Sequence, residues 1–273
     1  MLWIRVATAA VLLPLFIGGL FFLSPRDWAV ALLPLVLAGA WEWGVLVGFG
    51  RACNAGFCAG VVLSALGILF IPQHGPGVAA VEWAAYGISV VFWCVCVPPW
   101  LSVPWRVRNP WLLALTGWIL LVPTWLALVN LQMIPWLLLA VLGIVWVADI
   151  AAYFAGRAWG RRKLAPSISP GKTWEGVAGA AAAVAVYYGL VWNFGLRDMI
   201  SVPGFAAAAL VAILLPLGIV GDLFESWIKR QAGVKDSGWL LPGHGGVLDR
   251  IDALTSTLPL AALAVSWTLR GTQ

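Results

Sequence analysis

The chain has 273 residues, of which 62% are hydrophobic and only 10% are charged, and its mean hydropathy is +0.96. Soluble domains normally carry about 25% charged residues, so this composition excludes a soluble globular protein. The net charge of +5 either reflects membrane topology alone or gives one face an attraction for anionic lipid and phosphate.

Apolar stretches long enough to cross a bilayer as helices, which takes about 20 residues, recur along the whole chain. We predict an all-α fold, a polytopic integral membrane helical bundle with about nine transmembrane helices. The predicted spans are residues 3–23, 28–49, 57–73, 79–99, 111–129, 134–155, 174–194, 204–224 and 252–269. The third span is short and the sixth to eighth run into polar residues, so the number of spans could differ from nine by one.

Basic residues divide unequally between the two ends of these helices. With a cytoplasmic N-terminus, thirteen of the sixteen lie on the cytoplasmic side, and only Arg26, Arg197 and Arg270 lie on the other. An excess of Lys and Arg marks the cytoplasmic loops of membrane proteins. We therefore predict a cytoplasmic N-terminus, with the base-rich loops 156–173 and 225–251 together on the cytoplasmic face.

By polar content the chain divides into residues 1–140 and 141–273, within one continuous membrane domain. The first part has three acids, Asp27, Glu42 and Glu82, without shared spacing, and we predict that it builds the membrane body. Glu42 and Glu82 either face a cavity or partner within their spans, or reach toward the headgroups from a helix end. The second part is predicted to be the catalytic region.

A polar segment follows the sixth predicted span and begins with Asp149. Tyr153 and Gly156 fall on the same helical face as Asp149. Gly156 and Gly160 have the spacing of small residues that lets another helix or a ligand come close. The basic cluster that follows suits lipid phosphates and consists of Arg157, Arg161, Arg162 and Lys163.

Residues 167–173 form a segment rich in hydroxyl and amide groups just before the seventh predicted span. A turn with Gly171, Lys172 and Thr173 ahead of a helix N-terminus suits an anion. It is not a P-loop, because Pro166 stands where that motif requires glycine and no strand is predicted before it. The alternative is an ordinary cytoplasmic loop that ends in a helix cap.

Charged residues are concentrated between Gly221 and Asp252, whereas the flanking stretches 205–220 and 253–267 contain none. Ionisable groups beside membrane-length apolar segments are costly and usually functional. At the start of this segment the spacing i, i+3, i+4, i+7 predicts one polar helix face. That face consists of Asp222, Glu225, Ser226 and Lys229.

The glycine-rich stretch 233–246 cannot form a regular helix and suits backbone amides that point at phosphate oxygens. His244 within it is either a proton donor or a turn residue that anchors the backbone. Asp222 and Asp249 are two carboxylates on different helices. Mg²⁺ takes one or two such ligands and fills its other positions with water and substrate phosphate.

Bases beside these carboxylates would offset the charge of a polyphosphate, and they are Lys229, Arg230, Lys235 and Arg250. Acids and bases with glycines between them suit metal-assisted phosphoryl or nucleotidyl transfer. One alternative is a salt-bridged loop that only stabilises the bundle. A second is a transporter for a phosphorylated solute, although we see no internal repeat and the charges lie at one membrane face.

The 27 positions from Ser226 to Asp252 resemble the signature of the phosphatidate cytidylyltransferases without departure. The resemblance is carried by residues 226–230, 235–238 and 241–252, the last reading LPGHGGVLDRID. Upstream, Asp149-x-x-x-Tyr153-x-x-Gly156 and the stretch 164–176 also resemble that family. A related lipid or polyprenol kinase remains the alternative enzyme.

The resemblance implies an enzyme that converts CTP and phosphatidic acid into CDP-diacylglycerol and pyrophosphate. It also implies a requirement for Mg²⁺, with one or two cations bound. The expected protein is a homodimer among the lipids of the bacterial inner membrane, with its active site facing the cytoplasm. No nucleic acid is expected as a partner.

Carried onto this chain, the resemblance divides the candidate site residues among three roles. The metal ligands are expected to be Asp222 and Asp249. The catalytic candidates are Lys229, Arg230, Lys235, Asp236, His244, Arg250 and Asp252. The substrate-binding candidates are Asp149, Tyr153, Ser169, Lys172, Thr173, Glu175 and Ser226.

Overall fold

The computed structural model describes residues 2–71, 76–103, 106–200 and 202–270, and most of them are helical. The helices are α1 (Leu2–Phe22), α2 (Pro25–Ala31), α3 (Leu33–Leu46), α4 (Arg51–Leu69), α5 (Pro76–Val91), α6 (Val97–Ser102), α7 (Pro110–Leu131), α8 (Pro135–Trp159), α9 (Trp174–Val191), α10 (Arg197–Met199), α11 (Gly204–Ala232) and α12 (Leu248–Arg270). Single π-helical turns, Phe92–Cys96 and Trp192–Leu196, join α5 to α6 and α9 to α10.

Among the described residues, seven helical stretches are long and apolar enough to cross a membrane. They are Pro25–Leu46, Arg51–Leu69, Gly77–Ser102, Pro110–Leu131, Pro135–Trp159, Trp174–Met199 and Gly204–Ala232. These correspond to the second to eighth predicted spans, so the predicted helical membrane bundle is confirmed. Residues 72–73 of the third predicted span lie outside the described part of the chain.

The first and ninth predicted spans are also helical, but they do not belong to these seven stretches. In α1 the apolar part is the shorter stretch Val6–Phe22. In α12 the polar residues Thr255, Ser256 and Thr257 interrupt the apolar sequence, and all three are buried in the bundle. The predicted count of nine is therefore not confirmed.

Two short strands, β1 (Lys163–Ala165) and β2 (Ser169–Thr173), form an antiparallel pair between α8 and α9. Lys163 is opposite Thr173, and Ala165 is opposite Ser169. The sequence predicted only a turn here and no strand anywhere, and the structure corrects this. Proline disfavours the helical conformation in the residue before it. Ala165 and Ser169 both precede prolines, which keeps this segment extended.

A single hydrophobic core joins the first part of the chain to the second. α7 lies at its centre, with Leu121, Val122 and Trp125 almost fully buried. The indole of Trp125 donates a hydrogen bond to the carbonyl of Ala29 at 3.0 Å, and the indole of Trp43 donates to that of Leu113 at 2.9 Å. Such bonds satisfy the polar edge of a buried tryptophan.

Helices α8 and α9 pack closely through small residues, as the glycine spacing predicted. A side chain on Gly156 would place its Cβ 3.0 Å from Thr173 Oγ1, and one on Gly176 would lie 2.9 Å from the carbonyl oxygen of Ala152. A side chain on Gly143 would collide with the Tyr187 phenol. This close approach brings β2 and the start of α9 against the polar end of α8.

Candidate active site

A cavity of about 640 Å³ lies between α8, β2, α9 and α11. Its polar end is formed by residues of the polar segment that begins at Asp149 and of the charged segment that begins at Gly221. They are Asp149, Tyr153, Arg157, Ser169, Lys172, Thr173 and Asp222. Its remaining walls are apolar and include Ile144, Leu214 and Ile219. The cavity therefore offers charged groups at one end and hydrocarbon walls at the other.

Lys172 and Asp222 form an ion pair across the polar end of this cavity. Lys172 Nζ lies 2.5 Å from Asp222 Oδ2, and the two side chains are 23% and 30% exposed. Asp222 also accepts a hydrogen bond from the Ser226 hydroxyl, one turn further along α11, at 3.2 Å. Arg230 on the same helix donates to the carbonyl of Ile168 at 3.3 Å. The two predicted loop regions thus meet at one end of the bundle.

Thr173 caps α9 at the wall of the cavity. Its hydroxyl accepts a hydrogen bond from the Gly176 amide at 3.1 Å, and its side chain is 4% exposed. An N-cap of this kind fixes the first turn of a helix and satisfies one of its free amides. Ser169 and Lys172 on the same strand also line the cavity. The helix cap that the sequence offered as an alternative is present, and it forms part of the cavity.

A second lysine, Lys229, is buried between two carboxylates next to the cavity. Its Nζ donates to Glu225 Oε2 at 2.9 Å and to Asp249 Oδ1 at 2.6 Å. The other oxygen of Asp249 accepts the backbone amides of Ser237 at 2.9 Å and Gly246 at 2.8 Å. Asp249 thus ties α11 to the glycine-rich stretch 233–246.

Glu42, on α3, is a residue whose role the sequence left open. It is 5% exposed and accepts the amides of Val247 at 3.0 Å and Leu248 at 2.9 Å. It also accepts the hydroxyl of Ser237 at 3.1 Å. Of the two alternatives stated for Glu42, the one with a partner is correct, because this carboxylate caps the start of α12 and fixes the glycine-rich stretch. Its only signal in the sequence is an acid within an apolar span.

Further acids surround the Lys172–Asp222 pair. Asp149 lines the cavity and interacts electrostatically with Asp222, Lys172 and Arg250. Asp252 lies near enough to Asp149, Asp222 and Glu225 to interact electrostatically with all three. One oxygen of Glu225, Oε1, is buried without a hydrogen-bond partner. Carboxylates therefore outnumber nearby bases at this point, an arrangement that a bound cation would relieve.

Other predicted site residues lie outside the wall of the cavity. Lys235 and Asp236 are exposed on the glycine-rich stretch. The amide of His244 closes a turn by donating to the Leu241 carbonyl at 2.8 Å, and Nδ1 of His244 is buried without a hydrogen-bond partner. Glu175 accepts the backbone amides of Arg161 and Arg162, at 3.1 and 3.2 Å, which fixes the entry to β1.

Comparison with known proteins identifies a family that covers the whole site. The family model described as the cytidylyltransferase family matches residues 3–268. The chain belongs to the cytidylyltransferase family. It is 41% identical over 270 residues to the phosphatidate cytidylyltransferase of Pseudomonas aeruginosa, with 96% of each chain covered. It is 34% identical over 284 residues to that of Haemophilus influenzae, which covers 93% of this chain and 95% of the relative.

The same name recurs for a relative that matches a smaller part of the chain. The phosphatidate cytidylyltransferase of Bacillus subtilis is 43% identical over 116 residues, or 42% of each chain. Membership of the cytidylyltransferase family confirms the resemblance recognised in residues 149–176 and 226–252. It does not test the roles assigned to individual residues, which remain predictions.

Proposed function

We propose that this member of the cytidylyltransferase family transfers the cytidylyl group of CTP to phosphatidic acid. The products are CDP-diacylglycerol and pyrophosphate. The observation that carries this proposal is the cavity, which places Lys172 and Asp222 at one end of an apolar space between membrane helices. A lipid with a phosphate headgroup likewise has a charged end and an apolar remainder. Two relatives that match nearly the full chain bear the name of this activity.

In the proposed reaction a phosphate oxygen of phosphatidic acid attacks the α-phosphorus of CTP. The bond from that phosphorus to the β-phosphate oxygen breaks, and pyrophosphate leaves with its electron pair. The lipid phosphate is already anionic, so no strong general base is needed. Repulsion between the two anions is the main obstacle, and Lys172 with Arg157 would offset it at the polar end of the cavity.

The residues present fit a Mg²⁺ ion at this end of the cavity, although among the described residues no group of three or more candidate ligands is arranged to hold a metal by itself. Mg²⁺ needs only one or two carboxylates and uses water and substrate phosphate for the rest. Asp222 at the cavity wall is the first candidate, and the unpartnered Glu225 Oε1 lies on the same helix. When bound, the ion would neutralise phosphate charge.

Asp249, the second predicted metal ligand, has a different environment from Asp222. Both of its oxygens already accept hydrogen bonds, from Lys229 and from two backbone amides. About three of its four acceptor sites are therefore in use, and a cation at Oδ1 would lie beside the Lys229 ammonium. We therefore propose Asp222 as the primary ligand and Asp249 as a secondary one.

We also propose that the site faces the cytoplasm of a bacterial inner membrane. Thirteen of the sixteen bases fall on that side in the predicted topology, and CTP would reach the polar end of the cavity from there. The acyl chains would remain in the bilayer. A homodimer is part of the proposal on the strength of the family resemblance alone.

Purified protein with phosphatidic acid and CTP labelled at either the α- or the γ-phosphate tests the reaction. We expect the α-label in the lipid product, the γ-label in pyrophosphate, and loss of turnover with EDTA that Mg²⁺ restores. The γ-label in the lipid would instead identify a lipid kinase. Absence of lipid product, combined with uptake of a phosphorylated solute into vesicles, would identify a transporter. Activity unaffected by EDTA would contradict the metal proposal.

A further inference from the structure

A second cavity, of about 360 Å³, lies between α8, α9, α11 and α12, toward the opposite end of the bundle from Lys172. Its walls are apolar and include Val141, Ala207, Val211 and Ala264. Nothing in the proposed transfer of the cytidylyl group uses this space. It is formed in part by the same helices, α8, α9 and α11, as the first cavity.

Three hydroxyl groups around this second cavity are already bonded to backbone carbonyls. The hydroxyl of Tyr187 donates to the Ala140 carbonyl at 3.2 Å, and that of Tyr188 donates to the Gly204 carbonyl at 2.6 Å. Thr268 donates to the Val265 carbonyl at 2.9 Å. A ligand in this cavity therefore meets hydrocarbon and aromatic rings, which suits an apolar chain and not a sugar, a nucleotide or an ion.

The second cavity adjoins the first. Ile144 on α8 and Leu214 on α11 line both of them. Along α8, twelve residues separate Asp149 at the polar end from Leu137 in the second cavity, which is about 18 Å at the helical rise. One leaflet of a bilayer has a hydrocarbon layer of about 15 Å, half of the usual core. The space between Asp149 and Leu137 thus has about the length of one fatty acyl chain.

We infer that the second cavity binds the end of a fatty acyl chain of the lipid whose phosphate lies near Lys172, and that its walls set the preferred chain length. This inference rests on the proposed function. The rings of Tyr187 and Tyr188 and the small side chains of Ala207 and Ala264 form the far walls. Tyr187 is fixed against Gly143, where α8 has no side chain to displace it. A fixed wall can discriminate length, whereas a mobile one would adapt to any chain.

A bulky side chain placed inside the second cavity tests this inference. Ala207, on α11, is 9% exposed and lines only the second cavity. For Ala207→Phe we expect kcat/KM for dioleoyl phosphatidic acid to fall about tenfold or more, as misfitted methylenes do in apolar pockets. The value for dioctanoyl phosphatidic acid in the same mixed micelles should change less than about twofold, because that chain ends before the added ring.

Ile213→Phe is the matched control, since Ile213 lies on α11, is 49% exposed and lines neither cavity. It should leave the ratio between the two lipids unchanged. Equal losses for both lipids in Ala207→Phe, or no loss for either, would overturn the inference.

Val211→Ala, which enlarges the cavity, provides a second test if Ala207→Phe does not fold. It should shift the preference toward longer chains, and an unchanged chain-length profile would contradict the inference. The proposed function fails on a separate observation, namely that the unmodified protein makes no CDP-diacylglycerol from phosphatidic acid of any chain length.

Discussion

Two lysine–carboxylate pairs lie at the same end of this bundle and differ in their access to the cavity. In the pair Lys229–Asp249 the atoms are 2.6 Å apart and the side chains are 11% and 7% exposed. In the pair Lys172–Asp222 the distance is 2.5 Å, but the side chains are 23% and 30% exposed. The contact distances are nearly equal, so the difference lies in the surroundings.

We expect the buried pair, Lys229–Asp249, to form part of the structural framework. In the open pair, Lys172–Asp222, each residue could exchange its partner for a substrate group. Asp249 has both oxygens bonded, and Lys229 also holds Glu225. Breaking such a pair leaves buried charge without a partner, which is expensive. Lys172 and Asp222 face a cavity that a substrate can enter, so a phosphate could replace Asp222 as the partner of Lys172. We therefore expect identical residue types to have different roles here because of their burial.

The largest effect should come from removing the buried lysine. In Lys229→Met, Glu225 and Asp249 lose their common partner while buried, so we expect a loss of about 3–5 kcal/mol of stability and no measurable turnover. Thermal unfolding in detergent and the lipid product assay check this. Arg51→Met, an exposed base at the start of α4, is the control. Lost turnover at unchanged stability would mean that Lys229 acts in catalysis and not in the framework.

Removing the open lysine should affect catalysis more than stability. For Lys172→Ala we expect kcat/KM to fall about 100-fold, the lower end of what one electrostatic donor contributes. The stability should change by less than about 1 kcal/mol, because a partly exposed ion pair contributes little. Arg51→Ala, an exposed base at the start of α4, should match the unmodified protein. Unchanged kinetics for Lys172→Ala would remove β2 from the active site.

Glu42 connects the first part of the chain to the buried pair, and its neutralisation should have an intermediate effect. Glu42→Gln loses one acceptor oxygen and its charge, so the amides of Val247 and Leu248 are no longer both satisfied. We expect about 1–3 kcal/mol lower stability and about tenfold lower kcat in the protein that remains folded, a fall that corresponds to about 1.4 kcal/mol. The CTP concentration at half-maximal rate should change little, because Glu42 does not line the cavity.

Glu82→Gln is the matched control for Glu42→Gln. Glu82 is also an acid on a helix of the first part, and it accepts a hydrogen bond from Asn130 at 2.9 Å. It makes none of the contacts that Glu42 makes to the glycine-rich stretch. Its neutralisation should lower stability without lowering kcat. If both variants lower stability alone, Glu42 has no positioning role in the reaction.

Glu42 also shows how far the sequence predicts this site. Helical spacing placed Asp222, Ser226 and Lys229 on one face, and the structure confirms it, because the contacts are local. The contact between Glu42 and Ser237 joins residues 195 positions apart, and no local spacing encodes it. The strands β1 and β2 were missed for a different reason. β1 has only three residues, too few for a periodic pattern, and β2 contains Pro170 and Gly171, which are typical of a turn.

The smallest effect should come from Glu175, which the resemblance assigned to substrate binding. Its carboxylate accepts the amides of Arg161 and Arg162 and does not line the cavity. Glu175→Gln keeps an acceptor oxygen for these amides, so kcat/KM should fall no more than about two- to threefold, the scale of a surface substitution. Steady-state kinetics with both substrates check this. A tenfold rise in the CTP concentration at half-maximal rate would instead place Glu175 beside the nucleotide. Glu175 would then be a third charged residue at the phosphate site, together with Lys172 and Asp222.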